Sequence, residues 1–176
     1  EEGYGRVFVQ KAGEAAHGLI PAGIFGSRHG TLAGHNPVTH RVQGGRVVRR
    51  SIDEARQLLA EAGYPEGRDA VTGRPLVLNY DFQRAPTPEI KAELDWMVKQ
   101  FAKLGIQLEV RATDFNQYQE KTAKGRHQIF WGGWGADYPD AENFLFLLYG
   151  PNGKSTHEGE NIANYSHPEY DRRFKQ

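Results

Sequence analysis

Between residues 75 and 131, short apolar runs alternate with amphipathic ones, and few folds accept that order. Residues 75–81 carry Leu76, Val77, Leu78 and Tyr80, a strand with apolar residues on both faces, as inside a parallel sheet. Thr87 caps the helix that follows, and Pro88 in its first turn has no N–H to leave unpaired. Ile90, Leu94, Met97, Val98, Phe101 and Leu104 recur at spacings of three and four, so one face is apolar until Gly105 stops it. Met97 falls on that stripe as core, whereas Trp96 lies off its centre and covers an edge or meets another domain. Ile106, Leu108 and Val110 then alternate with Gln107, Glu109 and Arg111, a strand with one polar face. Asp114 starts a shorter helix, with Phe115, Tyr118 and Thr122 facing inward, until Gly125. Ile129, Phe130 and Trp131 form the next buried strand. Strand, helix, strand, helix, strand predicts right-handed crossovers and an α/β fold with a mainly parallel sheet flanked by helices.

The flanks are less regular. Ser51-Ile52-Asp53-Glu54 is a capping box, and Ile52, Ala55, Leu58, Leu59 and Ala62 mark one face of a helix ended by Gly63. Residues 67–73 read as a loop, Pro139-Asp140 opens a helix through Tyr149, and residues 150–159 return to a polar loop. Ser166-His167-Pro168-Glu169 is a second capping box leading into residues 170–174. Residues 1–50 form an irregular segment before the α/β core at 51–176. Val7, Phe8 and Val9 fit either a short strand or a helix start. Residues 18–45 are rich in Gly, Pro, His and Asn, the composition of an extended loop. Loops that long are functional or wrap another part of the protein. His17, His29, His35 and His40 lack the i, i+4 spacing of a helical metal pair and read as solvated.

Composition narrows the function classes. The 176 residues suffice for one domain with a real core. Lys+Arg and Asp+Glu number 22 each, so no overall basic excess recommends a nucleic-acid partner. The absence of cysteine removes disulfides, thiolate metal sites and cysteine nucleophiles. No apolar run approaches the ~20 residues of a membrane helix, and no signal peptide is visible. A chain that begins at Glu1 and stops at Gln176, inside an expected helix, fits a processed product or an excised piece.

The stretch 128–140, QIFWGGWGADYPD, concentrates the candidate chemistry. An apolar strand ends in glycines, which permit positive φ and close approach of another molecule. Trp131, Trp134 and Tyr138 add flat apolar faces, and Asp137 and Asp140 add carboxylates. Strand ends of open α/β sheets are where ligands bind. The same residues also read as a tight strand-to-helix turn whose tryptophans are core and whose Asp140 caps a helix. Acid–base hydrolysis wants two carboxylates facing each other across a substrate, and positions i and i+3 around a Pro turn do not provide that. Asp137 has no local capping duty, and a carboxylate on a glycine-rich turn suits an ammonium group or a cation. No phosphate loop, dinucleotide fingerprint, calcium loop or serine-nucleophile elbow is present.

Several segments together resemble the family 5 extracellular solute-binding proteins, the peptide- and nickel-type receptors of ABC importers. Residues 51–65, with Ala55, Leu58, Leu59 and Glu61-Ala62-Gly63-Tyr64-Pro65, resemble that family's A-x-x-L-L-x-E-A-G-Y-P stretch. In the same order come the strand 76–80, Lys103-Leu104-Gly105-Ile106, the run 133–140, and the tail with Asn161, Asn164-Tyr165 and Pro168-Glu169-Tyr170-Asp171. Residues 18–26 resemble the preceding G-P-I-P-x-G loop, with Leu19 where proline is usual. His167 replaces the usual Asn before Pro168. The likeness runs from about residue 18 to the end.

The resemblance implies a periplasmic-binding-protein-like (type II) lobe, with residues 1–176 forming one lobe of a two-lobed receptor. The expected ligand is a peptide or peptide-like molecule, and the expected partners are the other lobe and an ABC permease in the membrane. It implies no catalysis, no cofactor, no metal and no nucleic acid, and a periplasmic or extracellular location. By the family's W-x-x-D motif, Asp137 is expected to pair with the ligand's α-ammonium group. The backbone of Gly135 and the rings of Trp131, Trp134 and Tyr138 complete the expected ligand-binding set. The rival reading is a hydrolase domain of flavodoxin-like topology using Asp137 and Asp140.

Overall fold

The computed structural model describes Tyr4, Phe8, Ala16 and residues 18–83 and 87–176. They fall into two compact units, Glu1–Arg50 with Gly135–Phe146, and Ser51–Trp134 with Leu147–Gln176.

In the first unit the Phe8 N–H donates to the Tyr4 carbonyl, while Val7 and Val9 lie outside the described residues. The expected extended loop holds more order than its composition suggests. Turns lead to a 3-10 turn at Leu32–Gly34 and then to a hairpin of β1 (His40–Gln43) and β2 (Arg46–Arg49), in register His40↔Arg49. Gly44 and Gly45 both have positive φ, the requirement of a two-residue turn that matches strand twist. Val42, Val47 and the Gly-Gly between them are the signal that a loop reading passes over. His29, His35 and His40 are half-buried rather than solvated, and His17 lies outside the described residues.

The second unit is the predicted α/β core. Ser51 and Glu54 form the capping box of α1 (Ile52–Glu61), with bonds of 3.1 and 2.8 Å. Along α1, Ala55 and Leu59 are half-buried, whereas Ile52 and Leu58 stay exposed. The three-stranded sheet runs β4 (Gln107–Ala112), β3 (Val77–Phe82), β5 (Ile129–Phe130), all parallel, in register Tyr80↔Val110 and Tyr80↔Ile129. Thr87 caps α2 (Pro88–Ala102) and Asp114 caps α3 (Phe115–Ala123) as expected.

Tyr80, Phe82, Leu94 and Leu108 form the buried centre, with Met97, Val98, Phe101, Ile129 and Trp131 packed against it. Phe82 is wholly buried, which contributes about 2–3 kcal/mol of hydrophobic stabilisation. The entry to this core depends on two glycines. A Cβ on Gly67 would lie 2.2 Å from the Gly105 carbonyl oxygen, and one on Gly105 would lie 2.3 Å from that of Glu66. Their φ angles are +72° and +77°, so the two turns back onto each other where only glycine fits.

Four local expectations change. The strand expected at 129–131 has only two residues and stands at the sheet edge, beside β3 rather than at its centre. Phe115 points to solvent, at 61% exposure, while Tyr118 and Thr122 are buried as predicted. The helix expected over 139–149 shrinks to α4 (Glu142–Leu145) followed by a 3-10 turn, because backbone bonds there close tighter i, i+3 rings. Beyond it lies α5 (Lys154–His157), and then α6 (Pro168–Phe174), which is capped by His167 rather than Ser166. Pro168 sits at the first helical position, which makes its predecessor the cap and frees Glu169 to pair with Arg172 and Arg173.

The tail motif is structural. Asn161 is fully buried, its amide donating to the carbonyls of Tyr149 and Tyr165, and Asp171 accepts from the Gly150 N–H at 2.8 Å.

Candidate functional site

The division between the two units falls between Trp134 and Gly135, so the five predicted residues are described in two groups.

In the α/β unit, the Trp131 N–H donates to the Asp81 carbonyl at 3.2 Å, extending the pairing of β5 with β3 by one residue. Its carbonyl accepts from the Tyr118 hydroxyl, and its ring meets Phe82 edge-on at 6.2 Å and 70°. Trp131 is therefore half-buried against the core. Gly132, Gly133 and Trp134 follow on the surface, with Trp134 36% exposed. None of Gly132, Gly133 and Gly135 has positive φ, contrary to one reason for expecting them. Gly133 and Gly135 have no other atom within 4 Å of a would-be Cβ. What they supply is bare backbone next to an aromatic residue in the chain.

Beneath this strap lies an ion pair the sequence reading did not find. Asp81 is 1% exposed, and its Oδ1 is 2.5 Å from Lys121 Nζ. Burial, and then the charge of Asp81, push the Tyr118 hydroxyl pKa up and keep it neutral and able to donate. A charged residue ending an apolar strand was the only available signal, and nothing local named its partner 40 positions away.

In the other unit, the Asp137 N–H donates to Asn143 Oδ1 at 3.3 Å, and Asn143 is itself buried. The Tyr138 hydroxyl donates to Glu142, and this bond is the main cause of its raised pKa. Asp140 Oδ1 accepts from the Glu142 N–H at 2.8 Å, closing a local turn; the cap position of α4 is Ala141, with no side-chain capping bond, so Asp140 does not take the helix-capping role expected of it. The Asp137 carboxylate is exposed and has no hydrogen-bond or ion-pair partner among the described residues. Asn143, which accepts from the Asp137 N–H, and Glu142, which accepts from the Tyr138 hydroxyl, were missed from sequence. Among the described residues no cluster of three or more metal-ligating side chains occurs, and no helix is long and apolar enough to cross a membrane.

Exposed backbone and aromatic faces in the one unit, and an acceptor-only carboxylate in the other, are groups able to pair with a polar ligand. Comparison with known proteins agrees in class. The chain belongs to the bacterial extracellular solute-binding proteins of family 5, whose profile for the middle region matches residues 1–156. That match includes the first residues, before the motif likeness begins, and stops short of the tail.

Di/tripeptide-binding protein 3 of Pseudomonas aeruginosa is 28% identical over 122 residues, covering 69% of this chain and 21% of that protein. Heme-binding protein A of Haemophilus influenzae is 29% identical over 119 residues, covering 68% of this chain and 20% of that one. The chain thus spans about a fifth of the curated relatives it matches. Among solved structures, the ABC transporter-associated periplasmic binding protein DppA from Helicobacter pylori, in complex with the peptide STSA, superposes with a TM-score of 0.75. The identity there is 20%, over 99% of this chain and 29% of that one. The fold is accordingly that of a periplasmic binding protein.

Proposed function

We propose that residues 1–176 form one lobe of a two-lobed, non-enzymatic receptor that binds peptides and delivers them to an ABC permease from the periplasmic or extracellular side. Asp137 is the counter-ion of the ligand's α-ammonium group in this reading. Gly135 offers backbone, and Trp134 and Tyr138 offer ring faces. Trp131, its ring already engaged with Phe82, carries the strap on which Trp134 stands. The observation that carries the reading is the Asp137 carboxylate itself, exposed and without a described partner while its own amide is held by Asn143. Anchoring the backbone that way lowers the cost of placing the carboxylate against an ammonium group, and the pair is charge-assisted. The names of the relatives, di- and tripeptide-binding proteins among them, point the same way.

The hydrolase reading lacks support. Asp140 is occupied in its turn, so the second carboxylate that this reading needs is already engaged with the Glu142 N–H.

The test is a double-mutant cycle, read by calorimetry, in a two-lobed receptor carrying this lobe. Asp137→Ala weakens binding of a peptide with a free amino terminus by about 100-fold, on the order of 3 kcal/mol. N-acetylating the peptide weakens wild type similarly and the variant hardly further, because both changes remove the same pair. Independent, additive losses refute the role of Asp137. Peptide turnover that disappears in Asp137→Asn refutes the receptor.

A further inference from the structure

Trp131 is where the parallel ladder of the sheet stops. The register of β5 with β3 ends at Asp81↔Phe130, and one rung follows it, from the Trp131 N–H to the Asp81 carbonyl at 3.2 Å. In a ladder that continued, the Trp131 carbonyl would accept from the next amide of β3. It accepts instead from a side chain, the Tyr118 hydroxyl of α3. The two glycines that follow cannot take over that duty, because they have no side chain to pack. A Cβ on Gly132 would stand 3.1 Å from Phe130 Cε2, and a Cβ on Gly133 would meet nothing within 4 Å.

The donor belongs to a closed circuit. Tyr118 and Lys121 are spaced i, i+3 and so share one face of α3. Lys121 Nζ is 2.5 Å from Asp81 Oδ1, the Asp81 carbonyl accepts from the Trp131 N–H, and the Trp131 carbonyl returns to Tyr118. In this way α3 grips β3 and the end of β5 together. Asp81 is 1% exposed and Tyr118 3% exposed, so water has little access to compete for either. Burial, and then the charge of Asp81, hold the Tyr118 hydroxyl protonated. A hydrogen bond is directional, so this one fixes where the Trp131 carbonyl points. That carbonyl and the Gly132 N–H belong to one rigid peptide plane, the first of the strap that leads to Trp134.

We propose that Tyr118 is a positioning residue for the ligand site: its hydroxyl ends β5 at Trp131 and sets the direction in which the glycine strap carries the Trp134 ring. The role given to Trp134 rests on the peptide-binding reading. Tyr118 is buried and acts through the strap.

The test is Tyr118→Phe, which keeps the ring in the core and removes only the donor. In this chain, 15N relaxation should show the order parameters of Gly132, Gly133 and Trp134 falling to about 0.6 or below. Hydrogen exchange of the Trp131 amide should speed up by about tenfold, while the Leu108 amide of β4 stays within about twofold. In a two-lobed receptor carrying this lobe, calorimetry should show peptide affinity falling by about threefold to tenfold, the cost of ordering the strap on binding. Thr122→Val is the control. Thr122 is buried on the same helix, but its hydroxyl donates to the helix's own Tyr118 and Gln119 carbonyls, so the strap and the affinity should stay within about twofold of wild type. An unchanged strap in Tyr118→Phe overturns the proposal, and so does equal loosening in Thr122→Val or an equal gain in exchange at Leu108. A loosened strap with unchanged peptide affinity overturns the positioning role. A wild-type receptor that binds no peptide refutes the peptide reading instead, and the relaxation data then decide the Tyr118 clamp by themselves.

Discussion

Replacing Gly105 by alanine tests the packing on which the α/β unit depends. Two costs add at this position. The residue sits at φ +77°, and holding an L side chain there costs about 1 kcal/mol. The new Cβ would also stand 2.3 Å from the Glu66 carbonyl oxygen and 2.7 Å from its carbon. Backbone cannot swing aside as a side chain tip can, so relieving the clash moves the whole 65–67 turn. That turn holds the start of the sheet, because the Leu76 N–H donates to the Gly67 carbonyl at 2.7 Å and the Gln107 N–H to the Leu76 carbonyl at 3.0 Å. Overpacking of this kind costs about 1–3 kcal/mol, for a sum of about 2–4 kcal/mol. Gly73→Ala is the control: its φ is +70°, but nothing lies within 4 Å of its Cβ, so it carries the conformational cost alone. The two variants should differ by about 2 kcal/mol in urea unfolding, or about 4–8 °C in Tm for a chain of this size. Equal losses in the two refute the close approach of the Gly67 and Gly105 turns.

Lys121→Met removes the partner of an almost fully buried carboxylate and should destabilise the chain by about 2 kcal/mol, less than a wholly buried pair because Lys121 is partly exposed. Chemical denaturation of Asp81→Asn with Lys121→Met should then recover most of that loss, and a double variant worse than the single one contradicts the pairing. The Glu169 carboxyl is held down to about 2 by hydrogen bonds from Arg172 and then Arg173. A depressed carboxyl favours the folded state above its unfolded value and loses that contribution as pH falls from about 4.3 toward 2. Melting curves across that window should show wild type and Glu169→Gln converging at the acid end, and parallel curves refute the linkage.

Most of the α/β order was legible because the information in it is local. Period-3.6 stripes and period-2 alternation are written within a dozen residues, and Ser51, Thr87 and Asp114 announce helix starts through bonds that reach three positions along the chain. The same locality explains the errors. Residues 139–149 carry enough apolar side chains for a helix, but the backbone closes i, i+3 rings, and the Asn143 side chain is taken up by the Asp137 amide. Ser166 and Glu169 have the spacing of a capping box, and Pro168 sets the start one residue later. The hairpin at 40–49 was passed over because a Gly-Gly turn between short valine-bearing runs resembles loop composition.

For the candidate site, the residues by themselves determined that a carboxylate and aromatic rings follow the end of an apolar strand, while the expected capping by Asp140 gave way to a local turn bond to the Glu142 N–H. Only the tertiary structure decided that Trp131 spends its ring on Phe82, that Asn143 holds the Asp137 amide, and that Lys121 neutralises Asp81. It alone brought the Tyr118 hydroxyl to the Trp131 carbonyl. Periodicity records which side of an element is apolar. Which polar groups meet depends on strand register and burial, and these are settled between residues tens of positions apart, where no short-range pattern reaches.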